Sequence, residues 1–146
     1  MMQLRIAGTV ENSIVDGEGI RYTIFVQGCP HGCPGCHNPQ THDFQGGKLV
    51  DAAVLLKEIA SDPLLDGVTF SGGEPFCQAA ALAALGKQVH DLGLNLVTYT
   101  GYTLEQLLTD GREDWMALLN ETDILIDGRF EADKKAVFGA VRINAI

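Results

Sequence analysis

Cys29-Pro30-His31-Gly32-Cys33-Pro34-Gly35-Cys36 follows the apolar run Tyr22-Thr23-Ile24-Phe25-Val26 after a Gln27-Gly28 step. The C-x3-C-x2-C spacing offers three thiolates from one loop. Three is one short of a closed tetrahedral zinc, and it suits an iron–sulfur cluster with one iron left open for chemistry. Gly28, Gly32 and Gly35 relax the backbone, while Pro30 and Pro34 fix φ beside the first two cysteines, so the chain can curl around a bulky anion. Backbone N–H groups aimed at the sulfurs would stabilise the negative charge gathered there. The spacing therefore predicts a site carried on a loop.

Two plainer readings of the cysteines compete. A structural zinc would take its fourth ligand from His31, His37, His42 or Cys77, yet no second ligand pair with finger-like spacing exists. A disulfide framework would suit a secreted chain, but Met1-Met2-Gln3-Leu4-Arg5 leads straight into patterned sequence, so no signal peptide is expected. Cys77 follows Phe76 and opens an alanine-rich run, which predicts a small buried hydrophobe and not a ligand. His31 is expected either to donate to the cluster from outside its ligand shell or to face solvent. His42 and His90 are expected in surface or structural roles.

Composition sets the outer bounds. With 146 residues and 46% hydrophobic content the chain can bury a core as one domain spanning residues 1–146. It is much shorter than the roughly 250 residues of a complete eight-stranded α/β barrel, so a partial barrel or an open sheet is the ceiling. No apolar run is long enough to span a bilayer, and the net charge of −9 includes no basic block. Neither nucleic acid nor an anionic membrane is an expected partner, and a protein substrate stays open.

Apolar β-rich segments alternate with helical ones along the chain, the pattern of a largely parallel sheet with four to five βα units. Strands are predicted at Leu4–Val10, Tyr22–Val26, Gly67–Phe70, Asn95–Tyr99 and Asp123–Ile126. Helices are predicted over Ala52–Ala60, with Val54, Leu55 and Ile59 on one face, over Gln78–Leu92 with Gly93 as its cap, after the capping box Thr103-x-x-Gln106, and near Trp115–Leu119. The unusual motifs all fall just after predicted strands: the cysteine loop after Val26, Ser71-Gly72-Gly73-Glu74-Pro75 after Phe70, Thr98-Tyr99-Thr100-Gly101 closing the next strand, and Asp127-Gly128-Arg129 after Ile126. In parallel α/β architectures the carboxyl ends of the strands share one face, so these four motifs are expected to meet in one pocket. A Gly-Gly pair exposes backbone amides and carbonyls without side chains in the way. Together with the Glu74 carboxylate, it suits an amino-acid-like ammonium.

Cys29-x3-Cys33-x2-Cys36 with Gly72-Gly73-Glu74-Pro75 resembles the radical S-adenosylmethionine superfamily. More narrowly, Asp16-Gly17-Glu18-Gly19-Ile20-Arg21, Gln27-Gly28-Cys29-Pro30-His31, Cys36-His37-Asn38-Pro39, Thr98-Tyr99-Thr100-Gly101-Tyr102 and Asp127-Gly128-Arg129-Phe130 resemble, in order, the family of activating proteins of anaerobic ribonucleoside-triphosphate reductases. That resemblance implies an α/β fold of the incomplete parallel βα barrel type. It implies a 4Fe-4S cluster held by Cys29, Cys33 and Cys36, with S-adenosylmethionine on the fourth iron. Gly72, Gly73 and Glu74 would receive the methionine end, and Gly35, Cys36 and His37 would lie against the cofactor. Arg21, Tyr99 and Asp127 are expected near the pocket.

The implied reaction is one-electron reductive cleavage of S-adenosylmethionine, followed by hydrogen abstraction from a glycine of the partner reductase. A low-potential donor such as a flavodoxin would supply the electron, and the compartment would be the cytoplasm. The family's closing Arg-Gly-Ser-x-Asn-Gln-like segment is only echoed in Lys134–Ile146, and Val137–Ile146 is expected to be either a final sheet strand or poorly ordered. Two other functional classes stay open. One is a radical enzyme acting on a small molecule, such as a deazapurine-forming synthase; the other is a non-enzymatic ferredoxin-like or zinc-binding module.

Overall fold

Segments rich in Val, Ile, Phe and Thr become the strands of one mixed sheet in the computed structural model, which describes residues 3–14, 19–29, 43, 45–127 and 140–142. The strands are β1 (Gln3–Ser13), β2 (Arg21–Val26), β3 (Lys48–Asp51), β4 (Gly67–Gly72), β5 (Asn95–Tyr99), β6 (Ile124–Ile126) and β7 (Ala140–Arg142). Their spatial order is β3-β1-β2-β4-β5-β6-β7. β2, β4, β5 and β6 run parallel. β1 is antiparallel to both β2 and β3, and β7 is antiparallel to β6. The sheet is thus mixed where a largely parallel one was expected. The seven residues between Ser13 and Arg21 are too few for the crossover that a parallel β1–β2 pair would need.

Among the described residues four α-helices join these strands: α1 (Ala52–Ala60), α2 (Ala79–Asp91), α3 (Leu104–Asp110) and α4 (Glu113–Glu121). Among the described residues this makes three βα units, not four or five, because α3 and α4 share one connection and no described helix lies between β2 and β3. α1 has the predicted bounds, and the Asp51 carboxylate caps it by accepting from the Ala53 N–H. Its buried face is Ala52, Leu55 and Ile59, spaced i, i+3, i+7, which leaves Val54 outside at 51% exposure. The expected Val54-Leu55 pair fails because neighbours in a helix diverge by about 100°. β3 was not anticipated. It is a four-residue edge strand with no fully buried position, so it carries no alternating pattern.

One register row, Ile24–Phe70–Thr98–Leu125, crosses the four parallel strands and is fully buried. The one polar member, Thr98, meets the Thr122 hydroxyl at 2.9 Å, and Thr122 in turn donates to the Leu118 carbonyl at 2.8 Å. The buried hydroxyls are therefore satisfied. α2 lies close over this layer because Gly86 has no side chain: a Cβ there would stand 2.9 Å from Leu96 Cδ2 and 3.2 Å from Glu121 Cβ. The indole of Trp115 fixes α4 by donating to the Phe76 carbonyl at 3.0 Å. The Val137–Ile146 expectation resolves as a strand over Ala140–Arg142, and the rest of that stretch lies outside the described residues.

Candidate functional site

Parallel alignment puts the carboxyl ends of β2, β4, β5 and β6 along one edge, and beyond that edge the chain continues to hydrogen-bond across strands. The Gly73 N–H donates to the Val26 carbonyl at 2.8 Å, and the Glu74 N–H donates to the Gly28 carbonyl at 2.8 Å. The root of the cysteine stretch is thereby stapled to the Gly-Gly-Glu-Pro turn. Gly72 makes the staple possible. Its φ is +95°, and a Cβ would stand 2.6 Å from the Val26 backbone nitrogen, so no side chain fits.

Gly72 and Gly73 are half-buried, whereas Glu74 is completely buried. The Glu74 carboxylate accepts from the Phe76 N–H at 3.0 Å and the Thr100 hydroxyl at 2.8 Å through one oxygen, and from the Gly101 N–H at 2.8 Å through the other. Such charge-assisted bonds tie the end of β4 to the end of β5. Thr100 also donates its N–H to the Ile126 carbonyl at 3.0 Å, which brings in β6. Asp127, just past β6, accepts from the Leu104 N–H at 2.8 Å, a carboxylate at the amino end of α3 where the helix dipole favours it. The described parts of the four motifs, Gly28-Cys29, Gly72 to Pro75, Thr98 to Gly101 and Asp127, lie along one edge, and the rest of the cysteine loop and Gly128-Arg129 lie outside the described residues. The signal that sequence reasoning missed was the pairing of Glu74 with Thr100, two residues it had singled out separately.

Cys29 stands at this edge, half-buried. Cys33, Cys36, Gly35 and His37, together with His31 and His42, lie outside the described residues. Tyr99 is half-buried at the end of β5. Arg21 is not near the edge: it opens β2, pairs in register with Gly67 at the start of β4, and lies five residues back from Val26, roughly 16 Å along a strand. Buried there, it donates to the Thr69 hydroxyl at 2.7 Å and the Val68 carbonyl at 2.8 Å. The motif that suggested it carries no strand direction, which the register supplies.

Cys77 is exposed, against the expectation of a buried hydrophobe. It occupies the 3₁₀ turn Pro75–Gln78, in which Phe76 takes the inward position and the next residue turns away by about 120°. Partial desolvation of its sulfur, then the charges of Glu74 and Cys29, push its pKa up to about 11, so it stays a thiol at neutral pH. His90 fills the structural role expected of it, with Nε2 2.8 Å from Asp123 Oδ2 and Nδ1 3.0 Å from Glu121 Oε1.

Among the described residues the edge offers one sulfur, that of Cys29. Cys29 and the two glycines are half-buried, and the Glu74 carboxylate is turned inward.

Residues 15–143 match the family model of the 4Fe-4S single cluster domain. The chain is 38% identical over 129 residues to the anaerobic ribonucleoside-triphosphate reductase-activating protein of Pasteurella multocida, covering 83% of this chain and 80% of that protein. It is 30% identical to the protein of the same name from Escherichia coli K12, covering 84% of this chain and 82% of that one. The pyruvate formate-lyase-activating enzyme of Clostridium pasteurianum is 36% identical over 132 residues, 86% of this chain and about half, 52%, of that enzyme. Among solved structures, QueE from Escherichia coli superposes with a TM-score of 0.59 at 21% identity, covering 70% of this chain and 55% of that one, a likeness of fold.

Proposed function

The chain belongs to the family of anaerobic ribonucleoside-triphosphate reductase-activating proteins, radical S-adenosylmethionine activases built on a 4Fe-4S single cluster domain, and we propose that its substrate is a glycine of the partner reductase. Its cofactors are a 4Fe-4S cluster and S-adenosylmethionine. When bound, this pair supplies a one-electron reductive cleavage that ends as a glycyl radical on the protein partner. In this reading Cys29, Cys33 and Cys36 are the metal ligands. Gly72 and Gly73 offer backbone to the methionine end of the cofactor, and Gly35 and His37 lie against it.

Glu74 keeps the role of cofactor neighbour through its backbone, while its carboxylate works inward as the strut that orders the β4 and β5 ends. The observation that carries the proposal is the Glu74 N–H to Gly28 carbonyl bond. In support, it ties the Gly-Gly-Glu-Pro turn to Gly28, the residue before the first cysteine.

The single domain would be an incomplete barrel with one open side. In support, the strand order ends at β3 on one flank and β7 on the other, each with one described neighbour. An open flank admits a peptide loop of a macromolecular substrate, which a closed barrel would exclude. We propose a low-potential carrier such as a flavodoxin as the electron donor and the cytoplasm as the compartment. Among the described residues no helix is long and apolar enough to cross a membrane.

The test is 5′-deoxyadenosine formation by the anaerobically reconstituted chain with a strong reductant and S-adenosylmethionine, against Cys33→Ala. Product from the intact chain and none from the variant is the expected result. Equal product from both would overturn the ligand assignment. A glycyl-radical signal that requires the reductase would separate this function from a small-molecule one.

A further inference from the structure

Two side-chain amides stand at the base of the cysteine stretch. Gln27 is 4% exposed, and its Nε2 donates to the Asp43 carbonyl at 2.7 Å, across 16 residues of chain. Its backbone N–H donates to the Arg5 carbonyl on β1 at 3.0 Å. Gln78 reaches the same strand: Oε1 accepts from the Arg5 N–H at 2.9 Å, and Nε2 donates to the Arg5 carbonyl at 2.8 Å and to the Gln27 carbonyl at 3.3 Å. Its amide therefore stands in for a strand residue beside β1.

Gln78 occupies the N-cap position of α2 yet makes no side-chain cap there. Arg5 completes the base by donating from Nη1 to the Gly46 carbonyl at 3.0 Å. Gly47, at φ +70°, packs so close that a Cβ would stand 3.0 Å from that of Gln27. The chain entering the cysteine stretch at Gln27 and the chain leaving it at Asp43 to Gly47 are thus tied to each other, to β1 and to the turn after β4.

We infer that Gln27 and Gln78 form an amide clasp that fixes the two ends of the cysteine stretch and pre-organises it to take and keep the cluster. The inference rests on the cluster reading proposed above. Neither glutamine touches the reacting atoms, so both are positioning residues. Fixing the ends removes part of the chain entropy that three thiolates would otherwise have to offset on loading. The effect belongs in cluster retention.

The experiment is iron release to a strong chelator from the full chain, reconstituted anaerobically, compared with Gln27→Met and Gln78→Met, which keep length and lose the amide. Gln27→Met is expected to release iron roughly 2- to 10-fold faster than the parent, the span of one net hydrogen bond such as that to Asp43, and Gln78→Met, whose amide makes three bonds, at least as fast as Gln27→Met. The cluster-free variants are expected to keep native far-UV circular dichroism and a single cooperative urea transition. Release at the parent rate from a loaded Gln27→Met chain would overturn the clasp alone. So would collapse of the cluster-free variants, which would make the glutamines general supports of the fold. A parent chain that takes up no iron would overturn the cluster reading and the clasp with it.

Discussion

Glu74 is the residue on which the edge of the sheet turns. A buried carboxylate is costly unless its oxygens are met, and here the Phe76 and Gly101 N–H groups and the Thr100 hydroxyl meet them. Glu74→Gln presents an NH2 to a site that holds donors, so at least one bond becomes a donor facing a donor. A loss of roughly 2 kcal/mol in urea unfolding is expected for the cluster-free protein. An unchanged midpoint would show that the strut carries no load. The position of the Gly-Gly-Glu-Pro motif at a strand end was legible in sequence. The inward aim of its carboxylate was not, because two of its three donors, the Thr100 hydroxyl and the Gly101 N–H, come from just past β5, more than twenty residues on. Cys77 went astray for a related reason, since composition around it is apolar but the turn at Pro75–Gln78 directs Phe76 inward and the thiol out.

At the scale of elements, local chemistry was decisive wherever a helix carries its own end signal. Thr103 accepts from the Gln106 N–H at 3.1 Å while the Gln106 side chain accepts from the Thr103 N–H at 2.8 Å, the reciprocal box that the spacing predicted. Gly111 closes the same helix at φ +55°. Thr103→Ala is expected to destabilise the protein by about 1 kcal/mol, read as a shift of the urea midpoint. α3 lies beside the candidate edge through the Leu104 N–H to Asp127 bond, so fraying it should also speed amide exchange at Leu104. Elements without such a signal escaped the sequence. β3 is short and mostly exposed, and it exists because Gln3 to Ile6 of β1 offers it a ladder.

Across the whole molecule, the face opposite the candidate edge is held by an ionic contact between distant elements. His90 on α2 bridges Glu121 at the end of α4 and Asp123 before β6, and Asp123 also accepts from the Leu96 N–H of β5 at 2.8 Å. Burial acts to lower the pKa of His90. The hydrogen bonds to Asp123 and Glu121, with their charges, outweigh it, and the net shift is upward from 6.5. A raised folded-state value means that the contribution is fully present below about pH 6.5 and is lost as pH rises through the folded value. His90→Gln should therefore cost on the order of 1 kcal/mol at pH 6, with the deficit shrinking on the alkaline side, as urea titrations across pH would read. A deficit independent of pH would show packing, not charge, at work.

The amino-acid sequence by itself determined the cysteine spacing and its chemistry, the alternation of strands and helices, the capped helix ends and the placement of each unusual motif just after a strand. Those are properties of neighbours along the chain. Tertiary structure decided which strands reverse, that Arg21 lies at the far end of β2 while Cys29 lies at the near one, and that Gln27, Gln78 and Arg5 close the base of the cysteine stretch. Register and cross-strand hydrogen bonds join residues separated by up to 74 positions, and no local pattern encodes which partners they will find.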